Sequence, residues 1–411
     1  MSTRPFVLLV ALPLLAACGG SGGSAWAGTV LDSAGLTVVH NPDRGTWASG
    51  QGWTVKEVLS IGETAGDANY QFGQIVGVAV DGAGQIYVAD MQARDIRVYD
   101  PSGKYVRTVG GPGAGPGEFG AQIGGVEVAG DELWVPDLGN QRLSRLSLEG
   151  KPLGNTHLDF LKAMPLRWDQ MPTGRLVAQL RHFGFTQADA APSPDAIVAV
   201  NADGTFGDTL QMLPVGESMR ISAGRAQTRL FAAEPVWDAA ADGRLLSGRT
   251  DEYRLEVRDS SGRLTRIVTR AATPKPVTDR DKNVILDAYR KRFAQQGAGL
   301  SADAIEAFLK TIQFADDYPD FEMLALGPQG SIWAQRVRSG AELAGGKEGT
   351  FDPQDIGSND WDVFDAQGKY LGVVTFPERY QPIRVVGDRF YGIARNDLDV
   401  QIVKVYRVVT G

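Results

Sequence analysis

The chain has 411 residues, with 41 Lys and Arg against 49 Asp and Glu, and a formal net charge of −8 at pH 7. Hydrophobic residues make up 43% and charged residues 22%, a globular balance that excludes wholesale disorder. The acidic charge argues against nucleic-acid binding, which needs a basic face. The single cysteine cannot form an internal disulfide, and 51 Gly with 21 Pro indicate many tight turns.

The N-terminus has the pattern of an export signal. Arg4 precedes an apolar run over residues 6–17, which is too short to span a bilayer as a helix. Residues 15–18 resemble the bacterial lipobox, in which the thiolate of the cysteine is alkylated by a lipid donor. We therefore predict a signal peptide at 1–17 and a lipidated Cys18 that begins a flexible Gly/Ser tether at 18–36. The alternative is an ordinary secretory signal that contains a cysteine.

A lipidated Cys18 predicts a membrane partner and a location in the cell envelope. Gly19, rather than Asp, follows the cysteine. By analogy with other bacterial lipoproteins, this resembles the pattern sent to the outer membrane. We expect the folded domain to face the periplasm.

The remaining chain, 37–411, is predicted to be a single domain because its sequence repeats. One unit, at 75–110, contains four short alternating segments joined by Gly- and Asp-rich turns, which is typical of antiparallel strands. The second segment of this unit recurs and gives six units in all, at 86–90, 132–135, 175–177, 244–246, 331–333 and 389–391.

The last unit has only three strands before the chain stops, whereas residues 53–62 read like a fourth strand without its first three. A ring in which this N-terminal strand completes the last unit explains both observations, and closure removes exposed sheet edges. We predict an all-β, six-bladed β-propeller closed by an N-terminal strand.

Two stretches of the sequence carry a family resemblance. The first is made of residues 72–81, 86–90 and 113–119, and the second is residues 137–143 (DLGNQRL), which match an Asp-x-x-Asn-x-Arg-Ile turn. These stretches resemble NHL repeats, and the exported chain resembles the bacterial six-bladed β-propeller lipoproteins. The resemblance implies the fold. Related propellers include binding scaffolds as well as amidating lyases and lactonases, so it does not imply one chemistry.

All long insertions are predicted on one face of the propeller, which we call the insertion face. They fall between blades or between the second and third strands of a blade, whereas the turns on the other face are short. The insertions cover residues 110–124, 181–196, 209–235, 269–320 and 337–359. Within them, residues of about 279–316 predict two amphipathic helices, either a lid or docking surface, or a hairpin that buries its own apolar stripe.

The positions six residues after the turn that precedes each second strand suggest a polarised ligand site. They carry carboxylates in the first two blades and guanidinium groups later, which suits a zwitterionic or anionic ligand. The candidate residues are Asp90, Asp137, Arg249 and Arg336, with Arg181 and Arg395 close to the matching points. Two other roles remain open: each Asp can tie its own turn to backbone N–H groups, and each Arg can be a paired surface charge.

Catalytic signals are sparse. The three histidines are His40, which we place before the first strand, His157 and His182. No spaced metal-ligand motif, P-loop or nucleophile elbow is present, so we expect no cofactor, with Ca²⁺ or Zn²⁺ left open. His182, at the head of an insertion, is the best candidate for proton transfer.

Two function hypotheses follow. The first is a lipid-anchored binding module that recognises a peptide, glycan or protein partner on the insertion face. The alternative is a propeller enzyme of the lyase or lactonase type, possibly metal-dependent, that uses His182 and nearby carboxylates.

Overall fold

The computed structural model describes residues 25–48, 50–171, 176–182, 193–222, 225–240, 242–295, 301–344 and 356–410. The signal peptide, Cys18 and the first part of the predicted tether lie outside these residues, and their roles stay predictions.

The chain begins with three strands and then builds three blades in order. The N-terminal strands are β1 (Thr29–Ser33), β2 (Leu36–Asn41) and β3 (Thr54–Ile61). Blade 1 contains β4 (Ile75–Val80), β5 (Ile86–Asp90), β6 (Asp95–Tyr99) and β7 (Tyr105–Val109). Blade 2 contains β8 (Glu127–Ala129), β9 (Glu132–Asp137), β10 (Arg142–Ser147) and β11 (Pro152–His157). Blade 3 contains β12 (Met164–Gln170), β13 (Leu176–Arg181), β14 (Ala196–Val200) and β15 (Phe206–Met212).

The second half of the chain carries more insertions. Before blade 4 lie β16 (Met219–Ser222) and β17 (Arg225–Leu230). Blade 4 contains β18 (Pro235–Ala239), β19 (Leu245–Arg249), β20 (Arg254–Arg258) and β21 (Leu264–Arg270). Next come α1 (Asp279–Gln295), α2 (Ala302–Leu309) and β22 (Gln313–Phe314). Blade 5 contains β23 (Leu324–Leu326), β24 (Ile332–Val337), the helix α3 (Gly340–Ala344), β25 (Gly357–Phe364) and β26 (Tyr370–Thr375). Blade 6 contains β27 (Tyr380–Val386), β28 (Arg389–Arg395) and β29 (Gln401–Val409).

Blade 6 takes its fourth strand from the N-terminus, as predicted. β3 pairs antiparallel with β29, from Thr54 opposite Val409 to Ile61 opposite Val403. The six-bladed, all-β propeller is therefore confirmed.

Burial along the strands follows from the stacking of blades. All five residues of β5 are buried, whereas exposure alternates along most of β7, the outer strand of the same blade. Inner strands are covered on both faces by the neighbouring blades, which favours a largely apolar run. An outer strand such as β7 has one face in solvent and therefore shows a two-residue alternation.

The N-terminal hairpin β1–β2 differs from the predicted tether. β2 pairs in parallel with β21 and extends blade 4 to six strands, with β1 at the outer edge. The end of the segment predicted as tether, from Thr29 onward, is therefore part of a sheet. His40 lies within β2, not before the first strand, and its Nδ1 is 2.8 Å from the Thr269 hydroxyl. Alternating side chains around the turn Ala34–Gly35, both at positive φ, form this hairpin.

The helical insertion buries its apolar stripe against the neighbouring insertions. Ile285 of α1 and Leu309 of α2 are 1% and 4% exposed, in one cluster with Phe231 and Leu343. α1 begins at Asp279, where the preceding Thr278 caps the helix: the Asp281 N–H donates to the Thr278 hydroxyl. This packing favours the hairpin that buries its own stripe.

In the described part of the chain, no helix has the length and apolar character needed to cross a membrane.

Candidate functional site

Asp90 and Asp137 anchor turns at the insertion face. Asp90 accepts hydrogen bonds from the backbone N–H groups of four residues, at 73, 74, 92 and 93, over 2.8–3.2 Å. Asp137 accepts from the Gly120 N–H at 3.0 Å, from Asn140 and from Arg142 Nε at 3.0 Å. Both residues are 0% exposed. These bonds favour the turn role, since no part of either carboxylate is open to a ligand.

All four candidate arginines contact carboxylates. Arg181, with a side chain only 10% exposed, donates to Asp195 and to Glu234 at 2.8 and 2.7 Å. Arg249 contacts Glu217 at 2.7 Å and Asp251 at 3.1 Å. Arg395 lies 3.5 Å from Asp399. Arg181 and Arg249 thus pair with carboxylates of the segment between blades 3 and 4, whereas Arg395 pairs with a carboxylate of blade 6.

Arg336 lies in a pocket between blades 4 and 5 on the insertion face. This blade 4–5 pocket has a volume of about 460 Å³. Its walls come from the ends of β21 and β24, from the segments that lead into and out of the helical insertion, and from α3. Its lining includes Tyr253, Arg270, Lys275, Asp320, Arg336 and Asp362.

A single buried carboxylate holds two guanidinium groups at the floor of this pocket. Asp362, 0% exposed, accepts from Arg336 Nε and Nη2 at 3.0 and 2.8 Å and from Arg270 Nη1 at 2.8 Å. The hydroxyls of Tyr253 and Tyr370 donate to the same carboxylate at 2.9 and 2.7 Å. Arg270 also lies over both tyrosine rings, 5.1 and 4.7 Å from their centroids. Two positive charges therefore share one negative charge.

The ionisation of these groups follows from burial. Burial opposes the charge of Arg336, but attraction to Asp362 outweighs it and raises the pKa of the guanidinium. Burial, with the repulsion of Asp362 next, raises the pKa of the Tyr253 and Tyr370 hydroxyls above their usual value. Both tyrosines are thus neutral donors, and Arg336 stays charged over the physiological pH range.

The rim of the pocket carries both signs of charge. Lys275 is exposed. Burial raises the pKa of Asp320, although attraction to Arg270 and Lys275 acts in the opposite direction. Asp281 and Glu342 also line the rim, where each accepts from a backbone N–H and a hydroxyl that precede α1 and α3. The pocket is therefore cationic at the floor and largely anionic at the rim.

A larger cavity opens on the opposite face, along the propeller axis. It has a volume of about 1360 Å³ and is lined by the first strand of every blade. The short turns at 81–82, 240–244, 327–330 and 386–388 form its mouth. This axial cavity therefore opens on the face without insertions.

Five charged side chains close the axial cavity and form what we call the axial charge network. They are Glu127, Arg167, Asp169, Asp238 and Arg384. Arg384 of blade 6 donates to Glu127 of blade 2, to Asp169 of blade 3 at 3.4 Å and to the Val78 carbonyl of blade 1 at 3.3 Å.

The other half of the axial charge network reaches the remaining blades. Arg167 of blade 3 donates to the Trp237 carbonyl and, at 2.9 Å, to Asp238 of blade 4. Asp238 in turn accepts from the Leu326 N–H of blade 5 at 2.7 Å. All six blades are thus joined across the axis, and backbone groups at the free inner edges of three strands find partners.

Burial changes the ionisation of this network. It raises the pKa of Glu127 to about 7, against the attraction of Arg384. Burial and then repulsion from Asp169 raise the pKa of Asp238 to about 7. Burial opposes the charge of Arg384, but the surrounding carboxylates raise its pKa overall, so the arginine stays charged.

The histidines show no catalytic arrangement. His182 is exposed, and its Nδ1 is 2.7 Å from the Lys162 carbonyl, while most of the insertion that it begins lies outside the described residues. Among the residues with a described placement, no group of three or more His, Cys, Asp or Glu side chains is positioned to hold a metal ion.

Sequence reasoning missed the floor of the blade 4–5 pocket and the axial charge network. Arg270 and Tyr253 belong to blade 4 and Asp362 to blade 5, and the ring geometry brings the two blades together at this point. A charged residue in an innermost strand, such as Arg384 between Ile383 and Val385, was the available signal for the network.

Comparisons with known proteins agree on the fold. A family model described as a 6-bladed beta-propeller matches residues 66–175. No curated protein matches the chain. An exported protein of Bacteroides fragilis is 10% identical, with a TM-score of 0.51, over 90% of this chain and 99% of its own.

Two enzymes with solved structures are more distant. Catalytically inactive virginiamycin B lyase from Staphylococcus aureus, bound to quinupristin, is 11% identical over 86% of this chain and 99% of its own, with a TM-score of 0.43. PQQ-bound aldose sugar dehydrogenase from Streptomyces coelicolor is 14% identical over 87% of this chain and 99% of its own, also with a TM-score of 0.43. A likeness this low carries no chemistry from either enzyme to this chain.

Proposed function

We propose that the chain is a lipid-anchored binding module of the cell envelope that recognises a peptide, glycan or protein partner on its insertion face. The observation that carries this proposal is the blade 4–5 pocket, where Arg336 and Arg270 share the single carboxylate of Asp362. A pocket of this volume with a few convergent polar groups is typical of a ligand site. The lipobox-like pattern at Cys18 supports the anchor and the location.

Two further observations support a binding role for this face. The insertions that surround the pocket are packed against one another rather than extended, as the burial of Ile285 and Leu309 shows. A wall that is already folded binds without the entropy cost of ordering a loop. The opposite face has only short turns around its axial cavity.

Site-specific photo-crosslinking in intact envelopes tests the binding role. A photo-reactive amino acid at the position of Lys275, on the pocket rim, is expected to give discrete adducts. The matched control replaces Lys151, an exposed residue in a short turn of blade 2 on the other face. Equal labelling at both positions, or none at Lys275, would contradict the proposal.

The anchor is tested separately. Cys18→Ser is expected to move the protein from the membrane fraction to the soluble periplasmic fraction, because serine lacks the thiol that carries the lipid anchor. Mass spectrometry of the mature N-terminus reads the modification directly. A Cys18→Ser protein that stays in the membrane fraction would contradict lipid anchoring. A mature N-terminus without a lipid in the unmodified protein would contradict it as well.

A further inference from the structure

The floor of the blade 4–5 pocket has an excess of positive charge. Asp362 accepts from five donor atoms, two of which belong to tyrosines that burial keeps neutral. Arg270 and Arg336 together contribute two positive charges against its single negative charge. A partly buried guanidinium that is only half neutralised favours an anion from outside.

Arg336 is the group that a ligand can reach. Its side chain is 37% exposed, whereas that of Arg270 is 14% exposed. Arg336 uses Nε and Nη2 to bind Asp362, and Nη2 also lies 3.3 Å from the Tyr370 hydroxyl. Among the residues that the structure describes, Nη1 of Arg336 has no hydrogen-bond partner. This nitrogen offers N–H donors of the kind that carboxylates accept.

The rim favours a positive group on the same ligand. Four carboxylates line it, those of Asp43, Asp281, Asp320 and Glu342, against two cations, the amine of Lys275 and the guanidinium of Arg338. A purely anionic ligand would meet repulsion from these carboxylates on its way to the floor. A ligand with an anionic end and a cationic end satisfies both regions.

The volume and the polar walls set the size of that ligand. A pocket of about 460 Å³ is in the range of small-molecule sites and holds more than one amino-acid residue. A short peptide with free termini has a carboxylate at one end, an ammonium at the other and backbone amides between them.

We propose that the blade 4–5 pocket binds short zwitterionic peptides, with the C-terminal carboxylate on Arg336 and the N-terminal ammonium among Asp281, Asp320 and Glu342. This inference rests on the proposed binding function of the insertion face and names its ligand class. The carboxylate gains a charge-assisted hydrogen bond in a partly desolvated place, where such bonds are strong.

Three tripeptide libraries test the inference: one with free termini, one amidated at the C-terminus and one acetylated at the N-terminus. Each is incubated with the mature protein, and retained peptides are identified by ultrafiltration and mass spectrometry, with oligogalacturonates as an acidic-glycan probe. A charge-assisted hydrogen bond predicts retention of free over amidated peptides by about tenfold or more. Retention of the acetylated library is also expected to fall, because its ammonium is absent.

Variants connect that selectivity to the pocket. Arg336→Gln is expected to lose the preference for free over amidated peptides, and Arg336→Lys to keep part of it because the charge remains. Arg263→Gln, at an exposed arginine in a short turn of blade 4, is the matched control and is expected to retain the full preference. Circular dichroism confirms that each variant is folded before the measurement.

Several outcomes would overturn the inference. They are equal retention of the amidated or the acetylated library, unchanged selectivity in folded Arg336→Gln, and retention of oligogalacturonates in place of peptides. Failure of all three libraries while Lys275 still crosslinks would reject the peptide and leave the proposed function standing. Failure of both experiments would reject both.

Discussion

At the scale of single residues, an Asp at the end of a second strand has a structural role in the first two blades. Asp137 binds the Gly120 N–H, Asn140 and Arg142, and it is fully buried. A carboxylate in this position joins a turn to the connection from the preceding blade. Removing it leaves a buried guanidinium and backbone N–H groups without their partner.

Asp137→Ala is therefore expected to lower the free energy of unfolding by about 3 kcal/mol. Urea unfolding followed by tryptophan fluorescence measures the change. The control is Asp131→Ala, at an exposed residue in the neighbouring turn, for which we expect less than about 0.5 kcal/mol. A stable Asp137→Ala protein that has lost ligand binding would instead assign Asp137 to the ligand site.

Residue identity alone explains only part of the candidate site. The place of Arg336 on the insertion face could be predicted from its distance to a turn, because strand geometry fixes that relation. The sharing of Asp362 by Arg336 and Arg270 could not be predicted, because Arg270 is 92 positions from Asp362 in the sequence and belongs to the adjacent blade. Likewise, Arg181 and Arg336 look equivalent in the repeat, yet Arg181 is bound by Asp195 and Glu234.

At the scale of elements, the N-terminal hairpin shows how a local pattern acquires a distant partner. The parallel pairing of β2 with β21 cannot be predicted from the sequence, because it joins residues more than 200 positions apart. Asn41, 5% exposed at the end of β2, fixes the hairpin. It donates to the Thr269 and Gly368 carbonyls and accepts from the Tyr370 N–H and the Trp26 indole.

Asn41→Ala is expected to cost about 2 kcal/mol of unfolding free energy, because buried backbone groups of blades 4 and 5 lose their partner. Limited proteolysis provides an independent readout: cleavage within residues 25–41 is expected to accelerate. Asn155→Ala, at an exposed asparagine of β11, is the control and should leave both measurements unchanged. Unchanged proteolysis of Asn41→Ala would show that β2–β21 pairing holds the hairpin without this side chain.

At the scale of the whole molecule, the axial charge network joins all six blades. Arg384 connects Glu127, Asp169 and the Val78 carbonyl, while Arg167 and Asp238 connect blades 3, 4 and 5. The repeats that predicted the ring are local strand patterns and contain no information about side chains that meet at the axis.

The network predicts a stability that depends on pH. In the folded state the pKa of Glu127 is about 7, and so is that of Asp238, above their usual values of 4.5 and 3.8. Between the usual pKa values and the folded-state value of about 7, the folded state binds more protons than the unfolded state. The free energy of unfolding therefore falls as the pH rises through this range. We expect the protein to be less stable at pH 8 than at pH 5.

Glu127→Gln isolates this effect, because glutamine does not titrate. Its loss of stability between pH 5 and pH 8 is expected to be about 2 kcal/mol smaller than that of the unmodified protein. Urea unfolding at the two pH values gives both numbers, with Glu378→Gln, an exposed residue, as the control. Identical pH slopes for the Glu127→Gln and unmodified proteins would show that Glu127 keeps an ordinary pKa at the axis.

The closing strand also sets the order in which the ring can be completed. β3 emerges before any blade, whereas its partner β29 emerges last, and β27, which carries Arg384, belongs to the same final blade. Until the C-terminus arrives, β3 has an unpaired edge, and Glu127 and Asp169 lack the guanidinium that they share. Strand closure and charge neutralisation therefore depend on the same late segment. A chain that ends prematurely lacks both, which makes completeness of synthesis a condition for a folded ring.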